Sequence, residues 1–582
     1  MFQLSDKCTT IDIETDGLDA TKIWVVVCQD TSTKEVRIFQ DKTNLRRYLN
    51  TYKTIVGHNV LSFDIPILNK LWYMNISRER IVDTLILSQL FDPNREKGHS
   101  LAAWGHKLGM EKGEFCDFTC LSKEMVDYCI QDTKITTKLY EHLINKEKKD
   151  FSDISIELEH KIRFVINEQQ EYGFYLNMQK AHMLMTETKS KAKEIETEVL
   201  SDIKPRAKFI KKVVPKIKLD GEMSSVGIKQ IPDYKTVVGG EFSTVEFQPF
   251  NLASPQQIVE RMQEYGWKPV ELTPKGNPKV SERNLETVSS NAPKALQQLA
   301  EWKMLETRWK TVEAWIDAVD DDNRVHGKVR TMGAITGRMT HSEPNMANVV
   351  ASYKPYGKEC RDCWTIEDTN NYSLVGIDAK GLELRMLAHY MDDAEFTEAV
   401  VNGDPHTLNQ KAAGLPTREA AKTFIYALCY GAGSQKIGSI INGSSRDGER
   451  LKQKFFKNMP KLSALIKKVQ EYAKRGYIRG IDGRRLLVRS PHASLNTLLQ
   501  GAGAICCKQW SILLYEEIEK LGLDAHLVNT IHDEQQYECH KKDVDKLCEI
   551  ADTTMQEVGV GFNMNIVLNA DAKVGTTWAE TH

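Results

Sequence analysis

Asp12 and Glu14, in the stretch TIDIETDG, stand two residues apart. If that stretch is a strand, both carboxylates share one face and Ile11 and Ile13 take the other. Farther on, GHNVLSFDIPIL supplies Asp64, and DYCIQDTKIT supplies Tyr128 and Asp132, spaced to stack on one face of a helix. Each acid alone is ordinary at a strand end or on a helix. Four together can hold two divalent cations about 3.5–4 Å apart, one to activate a water and one to stabilise the leaving oxygen of a phosphodiester. Tyr128 would help orient that water.

A second set begins past residue 370. YSLVGIDAKGLELRMLAHYM reads as a strand over 372–378 ending in Asp378, then a helix opened by Gly381 and carrying Glu383 and Arg385. Asp378 could cap that helix or face a metal. In PTREAAKTFIYALCYGAG, Arg418, Lys422 and Tyr426 recur every fourth residue and share a helical face. Two cations and an aromatic suit a triphosphate with a base above it; a solvated helix with snorkelling side chains is the plainer alternative. In HLVNTIHDEQ, an apolar run through Leu527, Val528 and Ile531 enters His532, Asp533 and Glu534. The run could stop at a polar turn. Folded as a hairpin turning at His532 and Asp533, it would carry Asp533 to Asp378. The pair would then hold two Mg²⁺ ions, a bound triphosphate completing the charge balance.

These groups need elements to hold them. Residues 9 to about 145 alternate β-rich runs (TTIDIET, IWVVVCQD, TIVGHNV) with helical ones (LAAWGHKLGM, MVDYCIQDTKITTKLYEHLI), the pattern of an α/β domain. Residues 151–200 read as helical. The segment 200–250 is rich in Lys, Pro and Gly, and KPRAKFIKKVVPKIK (204–218) is strongly basic. That is either a solvated loop or an insertion that tracks phosphates or binds a partner. Residues 251–316 read as helical again, and 323–582 carry the remaining chemistry.

At 582 residues the chain exceeds one ordinary domain and predicts two to four. Its 41% hydrophobic and 27% charged content suits a soluble globular protein. No run of eighteen apolar residues occurs, so no membrane partner is expected, and MFQLSDKCTT lacks the plan of a signal peptide. The net charge of -2 excludes a globally basic nucleic-acid binder but not segregated charge. The 12 cysteines include no paired C-x-x-C sets, which predicts reduced thiols in a cytoplasm.

Asp-x-Glu, HN…FD and Tyr-x-x-x-Asp, in that order, resemble the three motifs of the DnaQ-like 3′–5′ exonucleases, in the variant with tyrosine in the third. The resemblance covers about 9–145 and implies a ribonuclease-H-like sheet. The stretches around Asp378, Arg418–Tyr430 and Asp533 resemble motifs A, B and C of family A DNA polymerases, and TGRMTHSEPNMANV (336–349) is similar to the family's segment before motif A. IDAKGLELR, AKTFIYALCYGAG, DGRRLLVRSPHASLNTLLQGAGA and the final WAETH bring it closer still to the replicative polymerases of T-seven-type bacteriophages. Lys380 departs from the small residue the family places after "DA".

The implied fold is multidomain, α/β and α+β, with a ribonuclease-H-like exonuclease followed by a right-hand polymerase. The exonuclease would span 1–150 and the thumb 151–320, with the basic insertion at about 200–250. Palm with motif A would span 321–403, fingers with motif B 404–475, and palm with motif C and the C-terminus 476–582. The implied reaction is template-directed DNA synthesis with 3′–5′ proofreading for a bacteriophage genome, in the host bacterial cytoplasm. A repair-type polymerase, an exonuclease without a replicative role and a non-catalytic replisome scaffold are the alternatives. By resemblance, Asp378, Asp533 and the carbonyl of Ala379 hold one pair of Mg²⁺ ions, and Asp12, Glu14, Asp64 and Asp132 the other, with Mn²⁺ as a substitute. Arg418, Lys422 and His406 meet the dNTP phosphates. Tyr426 and Glu383 flank the sugar, and Tyr430 stacks near the templating base. The tyrosine form at position 426 is associated in the family with ready acceptance of dideoxynucleotides. Arg338 and Gln500 read minor-groove acceptors present on every correct pair, and His532 positions the primer end. Primer-template DNA and dNTPs are the implied partners, with a phage helicase-primase and single-strand-binding protein. Host thioredoxin, which binds a longer thumb insertion in the phage relatives, is a further candidate at 200–250.

Overall fold

The computed structural model describes residues 7–224 and 240–582. It forms two compact units, one of Met1–Asn177 with Ala318–His582 and the other of Met178–Asp317. The second lies within the stretch expected to be thumb, whereas Asp153–Tyr172, also in that stretch, is a helix of the first unit.

In the first unit, β1 (Cys8–Thr15), β2 (Ile23–Asp30), β3 (Val36–Phe39), β4 (Thr54–Gly57) and β5 (Ile81–Asp83) form one sheet in the order β3-β2-β1-β4-β5. β1, β2 and β3 pair antiparallel, and β4 and β5 run parallel to β1. This is the ribonuclease-H-like arrangement. β-Branched residues at Val25, Val26, Val27, Ile55 and Val56 are wholly buried, as a sheet covered on both faces requires. Helix Lys123–His142 lies across β1 and β2, and its first turn is capped by Ser122, whose hydroxyl accepts from the Met125 amide at 3.0 Å.

The same unit contains a four-stranded antiparallel sheet in the order Ala525–Ile531, Glu534–His540, Tyr372–Ala379, Ala570–Gly575. Helix Ser494–Leu521 is buried along most of its length and carries Trp510 in the core. Helix Asp153–Tyr172 touches both sheets' surroundings. His160 Nε2 accepts from the Asp83 amide at 2.9 Å and Asn167 donates to the Leu61 carbonyl at 2.7 Å, while Gln169 accepts from the Thr530 hydroxyl at 2.9 Å. Next to His160 on that helix, Glu159 accepts from Lys508 at 2.6 Å and Arg484 at 2.5 Å, and Arg484 also donates to Asp482 at 2.7 Å. All four charges are buried and sum to zero, so removing one would strand its partners in a dry interior.

In the second unit, helices Met178–Asp202 and Leu299–Ile316 pack together. Part of the segment read as either solvated loop or insertion is a two-stranded ribbon, Arg206–Val213 against Phe242–Gln248, pairing Lys208 with Glu246 and Lys212 with Ser243. Phe209, Ile210, Val245 and Phe247 stand exposed on it. The centre of the proposed insertion, 225–239, lies outside the described residues. The expected helical stretch 251–316 is helical only in parts, because residues 265–281, which contain Gly266, Pro269, Pro274, Gly276 and Pro278, form turns and a bridge between Leu272 and Pro278.

Candidate active sites

β1 sets Asp12 and Glu14 on one face. Asp64 begins helix Asp64–Trp72 and accepts from the Ile13 amide at 3.2 Å, which ties it to the strand between the two acids. Helix Lys123–His142 brings Tyr128 and Asp132 to the same place, and it adds a residue the sequence motifs passed over. The thiol of Cys129 lies 3.3 Å from Asp12 Oδ2, and ligand atoms of Asp12, Glu14 and Cys129 all lie within 4.8 Å of one another. Burial, then the nearby Asp132, pushes Asp12 up to about 7. Burial, then Asp12 and Asp132, pushes Glu14 up to about 8. Asp64 is raised well above the carboxylate range by burial and by Asp12. Lys112 donates to Asp132 Oδ2, but burial outweighs that pairing and leaves Asp132 raised too. Asp132 Oδ1 is buried with no hydrogen-bond partner. A crowd of under-neutralised carboxylates with an orphaned oxygen fits divalent cations.

The second site forms where two strands end. Across the four-stranded sheet Asp378 pairs with Glu534 on one side and Asp571 on the other. The chain turns at His532 and Asp533, as the hairpin expectation required, and the Ala379 amide donates to the Asp533 carbonyl at 2.9 Å. His532 takes φ +57°, a left-handed conformation that glycine adopts more readily and that the turn imposes. The Asp378 side chain opens outward. Even so, surrounding protein withdraws enough water, with Asp533 and then Glu534 close by, to push its carboxyl up to about 7. Burial raises Asp533 as well. Glu534 is committed elsewhere. Trp578 Nε1 donates to it at 2.6 Å and Gln536 at 2.7 Å, and His582 Nδ1 lies 2.7 Å away; together they outweigh burial and hold it below its usual range. Glu534 therefore anchors the C-terminal helix Trp578–Thr581, and Asp378 with Asp533 is left as the pair fitted for cations.

Helix Arg418–Cys429 carries Lys422 and Tyr426 on the expected common face. Arg418 is not free in this structure. Its Nε and Nη2 meet Asp404 at 2.7 and 3.1 Å, a two-pronged pairing that holds Asp404 well below the carboxylate range. Asp404 also caps helix Pro405–Ala413, which seats His406 with its ring 6.1 Å from that of Tyr426. His406 Nδ1 is buried without a hydrogen-bond partner. The structure thus brings Arg418, Lys422, His406 and Tyr426 together. Glu383 is held from within the protein: Tyr430 donates to it at 2.6 Å and Arg338 at 3.3 Å, while the Tyr430 side chain stays exposed. Lys380 points along the sheet edge to Asp571, 3.6 Å away, and both are exposed. Gln500 sits half-buried in helix Ser494–Leu521, two turns before Cys507, which feels the charges of Asp533, Arg338 and Asp378.

Among the described residues no helix is long and apolar enough to cross a membrane. Comparison with known proteins places residues 3–148 in a 3′–5′ exonuclease family and residues 222–580 in DNA polymerase family A. A DNA-directed DNA polymerase of Escherichia phage T7 is 31% identical over an alignment covering 98% of this chain and 99% of the relative. One of Enterobacteria phage T3 is 32% identical, covering 91% and 92%. The first alignment runs over 701 positions but takes in 98% of the 582 residues here, about 570, so that relative carries roughly 130 residues without a counterpart. Among solved structures, the POL domain of Pol1 from M. smegmatis, in complex with DNA primer-template and dNTP, superposes with a TM-score of 0.78 at 18% identity, covering 98% of this chain and 95% of that one. With both sets of motifs seated in two carboxylate centres and the match running the length of the sequence, the chain belongs to DNA polymerase family A and carries a 3′–5′ exonuclease domain ahead of its polymerase domain.

Proposed function

We propose that this DNA-directed DNA polymerase of phage type replicates a bacteriophage genome in the cytoplasm of its bacterial host, extending a primer from dNTPs and trimming mismatched ends in its exonuclease centre. The observation that carries the synthetic half is the placing of Asp378, near the end of its strand, beside the hairpin turn that holds Asp533, fixed by the 2.9 Å bond from the Ala379 amide to the Asp533 carbonyl. Both centres are of a divalent-metal-dependent kind. Mg²⁺ is our assignment, two ions per centre with Mn²⁺ as a substitute, held by Asp378, Asp533 and the Ala379 carbonyl in one, and by Asp12, Glu14, Asp64 and Asp132 in the other. Bound there, the ions supply charge neutralisation and ionise the attacking oxygen.

The protein's own groups do the rest. Lys422 and His406 meet the β- and γ-phosphates, and Arg418 exchanges Asp404 for a phosphate oxygen. Tyr426 lies within electrostatic reach of Glu383 and Asp533, which suits a place beside the sugar. Glu383, gripped by Arg338 and Tyr430, bars a ribose 2′-hydroxyl. Arg338 and Gln500 contact the minor groove, and His532 the primer end. In the exonuclease centre Tyr128 orients the attacking water. The thumb, Met178–Asp317, offers a basic ribbon with exposed Phe209 and Phe247 to duplex phosphates or to a processivity partner such as host thioredoxin. A helicase-primase and a single-strand-binding protein complete the proposed replisome.

Primer extension with and without dNTPs tests the assignment. Template-directed products with dNTPs and shortening without them are expected; shortening alone would leave a nuclease, and neither would leave a scaffold.

The hydroxyl of Tyr426 predicts sugar selectivity. A dNTP has a 3′-hydroxyl able to satisfy an acceptor near its own phosphates, and a dideoxynucleotide lacks it. Tyr426 can fill that gap, whereas phenylalanine leaves the acceptor unpaired, a loss of about 1–3 kcal/mol. Tyr426→Phe should discriminate against ddTTP by about ten- to a hundredfold more than the parent while using dTTP almost normally. Competition between ddTTP and dTTP measures this, and equal discrimination would remove Tyr426 from the sugar.

The raised carboxyls predict a coupling of stability to pH and metal. Asp12 at about 7, Glu14 at about 8 and Asp378 at about 7 bind protons more tightly folded than unfolded, where they titrate near 4. In EDTA, their contribution to stability should therefore be greatest below about pH 4, fall as pH rises to about 8, and level off above it. Cations that satisfy the ionised acids should raise the melting temperature clearly at pH 8 and hardly at pH 5. Equal increments at both values in calorimetry would contradict the cluster's electrostatics.

A further inference from the structure

A buried group of acids needs counter-charge whether or not a metal is bound. Around Asp12, Glu14 and Asp132, the positive group that offsets their mutual repulsion is the ammonium of Lys112. Lys112 belongs to the segment between helices Leu101–Leu108 and Lys123–His142, outside all three exonuclease motifs. That segment is fastened to the motif helix: Gln131 Nε2 donates to the Glu111 carbonyl at 2.9 Å, and Gly113 lies against the Tyr128 ring. From it, Lys112 Nζ donates to Asp132 Oδ2 and sits 4.9 Å from the centroid of the Tyr128 ring. One ammonium thus engages both residues of the third motif. Asp132 is 5% exposed and Lys112 27%, so water screens their pairing little while the lysine keeps a way out to solvent.

One positive charge is set against four carboxylates, and burial first, then repulsion between the acids, keeps Asp12 and Glu14 raised despite it. It is also badly placed for a divalent cation. An ammonium seated on Asp132 Oδ2 occupies a ligand position and repels any cation arriving at the rest of the cluster. We propose that Lys112 is a tethered counter-ion of the exonuclease centre. It neutralises the acids and steadies Asp132 and Tyr128 in the metal-free site, and it must release Asp132 before a divalent cation can bind there. It thereby sets the cation concentration at which proofreading switches on. The inference rests on the exonuclease assignment made above. At the polymerase centre the lysine adjoining the strand-end acid, Lys380, turns to Asp571, and among the described residues no lysine is seated on Asp378 in the same way. The two centres of one chain should then fill at different cation concentrations, the polymerase centre first.

Mn²⁺ is the probe. It is titrated into the full chain bearing Asp378→Ala and Asp533→Ala, and bound ion is counted from the loss of the free-ion electron paramagnetic resonance signal. Adding Lys112→Met should tighten binding by about tenfold or more, and adding Lys112→Arg should not. Unchanged or weaker binding in Lys112→Met would overturn the proposal. Adding Asp12→Ala and Glu14→Ala instead should abolish the binding; if it persists, the metal assignment itself has failed, a different result from failure of the lysine's role. Melting provides a second measurement. Lys112→Met should melt below its parent in EDTA at pH 8 and regain the difference with Mn²⁺. A deficit that Mn²⁺ does not remove would make Lys112 plain structural support and would also overturn the proposal.

Discussion

Asp378→Ala or Asp533→Ala abolishes primer extension, by about a thousandfold or more, and leaves degradation of single-stranded DNA at the parent rate. The magnitude follows from what each carboxylate does. Phosphoryl transfer relies almost wholly on positioning and charge neutralisation, and two side-chain acids carry that load at the strand ends. The backbone does not need them. The hairpin is held by the Ala379 amide on the Asp533 carbonyl, and the sheet register by main-chain pairs on both sides of Tyr372–Ala379, all of which survive truncation to alanine. Loss of activity should therefore come without loss of fold. Removing Asp378 in fact relieves a carboxyl crowded by Asp533 and Glu534, so in EDTA at pH 8 the variant should melt no lower than the parent. The check is a primer-extension and single-strand-degradation assay run on one preparation, beside a melting curve. If both activities disappear from a protein that melts normally, the two centres are not independent and the assignment of separate metal sets is wrong.

Much of this site was legible because its acids sit where simple periodicities put them. Period two on β1 paired Asp12 with Glu14, period four on a helix paired Tyr128 with Asp132, and an apolar run broken by His532 and Asp533 marked a hairpin turn. The helical face of Arg418, Lys422 and Tyr426 came from the same kind of count. What escaped has no local signature. Lys112 lies in an irregular segment, and nothing in GMEKGEF says that its ammonium reaches Asp132. Cys129 reads as a helix-core residue until the sheet brings Asp12 beside it. Glu159 meets Arg484 and Lys508 from more than three hundred residues away, so the buried charge cluster exists only in the folded chain. The pairing of Arg418 with Asp404 hides a cation that the helical face seemed to offer freely. Short strands failed for another reason: Val36–Phe39 and Ile81–Asp83 have too few residues to show an alternation, and they exist because β2 and β4 present edges for them to join. The strands of the basic ribbon go unseen in the sequence because its lysines mask the strand-forming residues between them, Phe209 and Ile210 among them.

Asp12→Ala with Glu14→Ala eliminates 3′–5′ degradation, again by about a thousandfold or more, while polymerisation continues with more errors. The two acids lie side by side on a strand whose pairing to β2 runs Asp12 with Val27 and Glu14 with Val25, all main-chain bonds that alanine keeps. Asp64 would still be held by the Ile13 amide and Asp132 by Lys112, so the remnant keeps its shape but loses half of its cation ligands. The charge balance separates this account from mere local unfolding. Parent Asp12 and Glu14 contribute much of the decline in metal-free stability between about pH 4 and pH 8, because both are raised in the fold. Without them that decline should shrink, and the added stability that Mn²⁺ gives at pH 8 should shrink with it. Excision of a terminal mismatch is the decisive measurement. A double variant that removes the mismatched nucleotide at the parent rate would show that the catalytic acids lie elsewhere. A double variant that fails to excise yet keeps the parent's full dependence of melting on pH and Mn²⁺ would show that these carboxylates are not the ones buried without enough counter-charge.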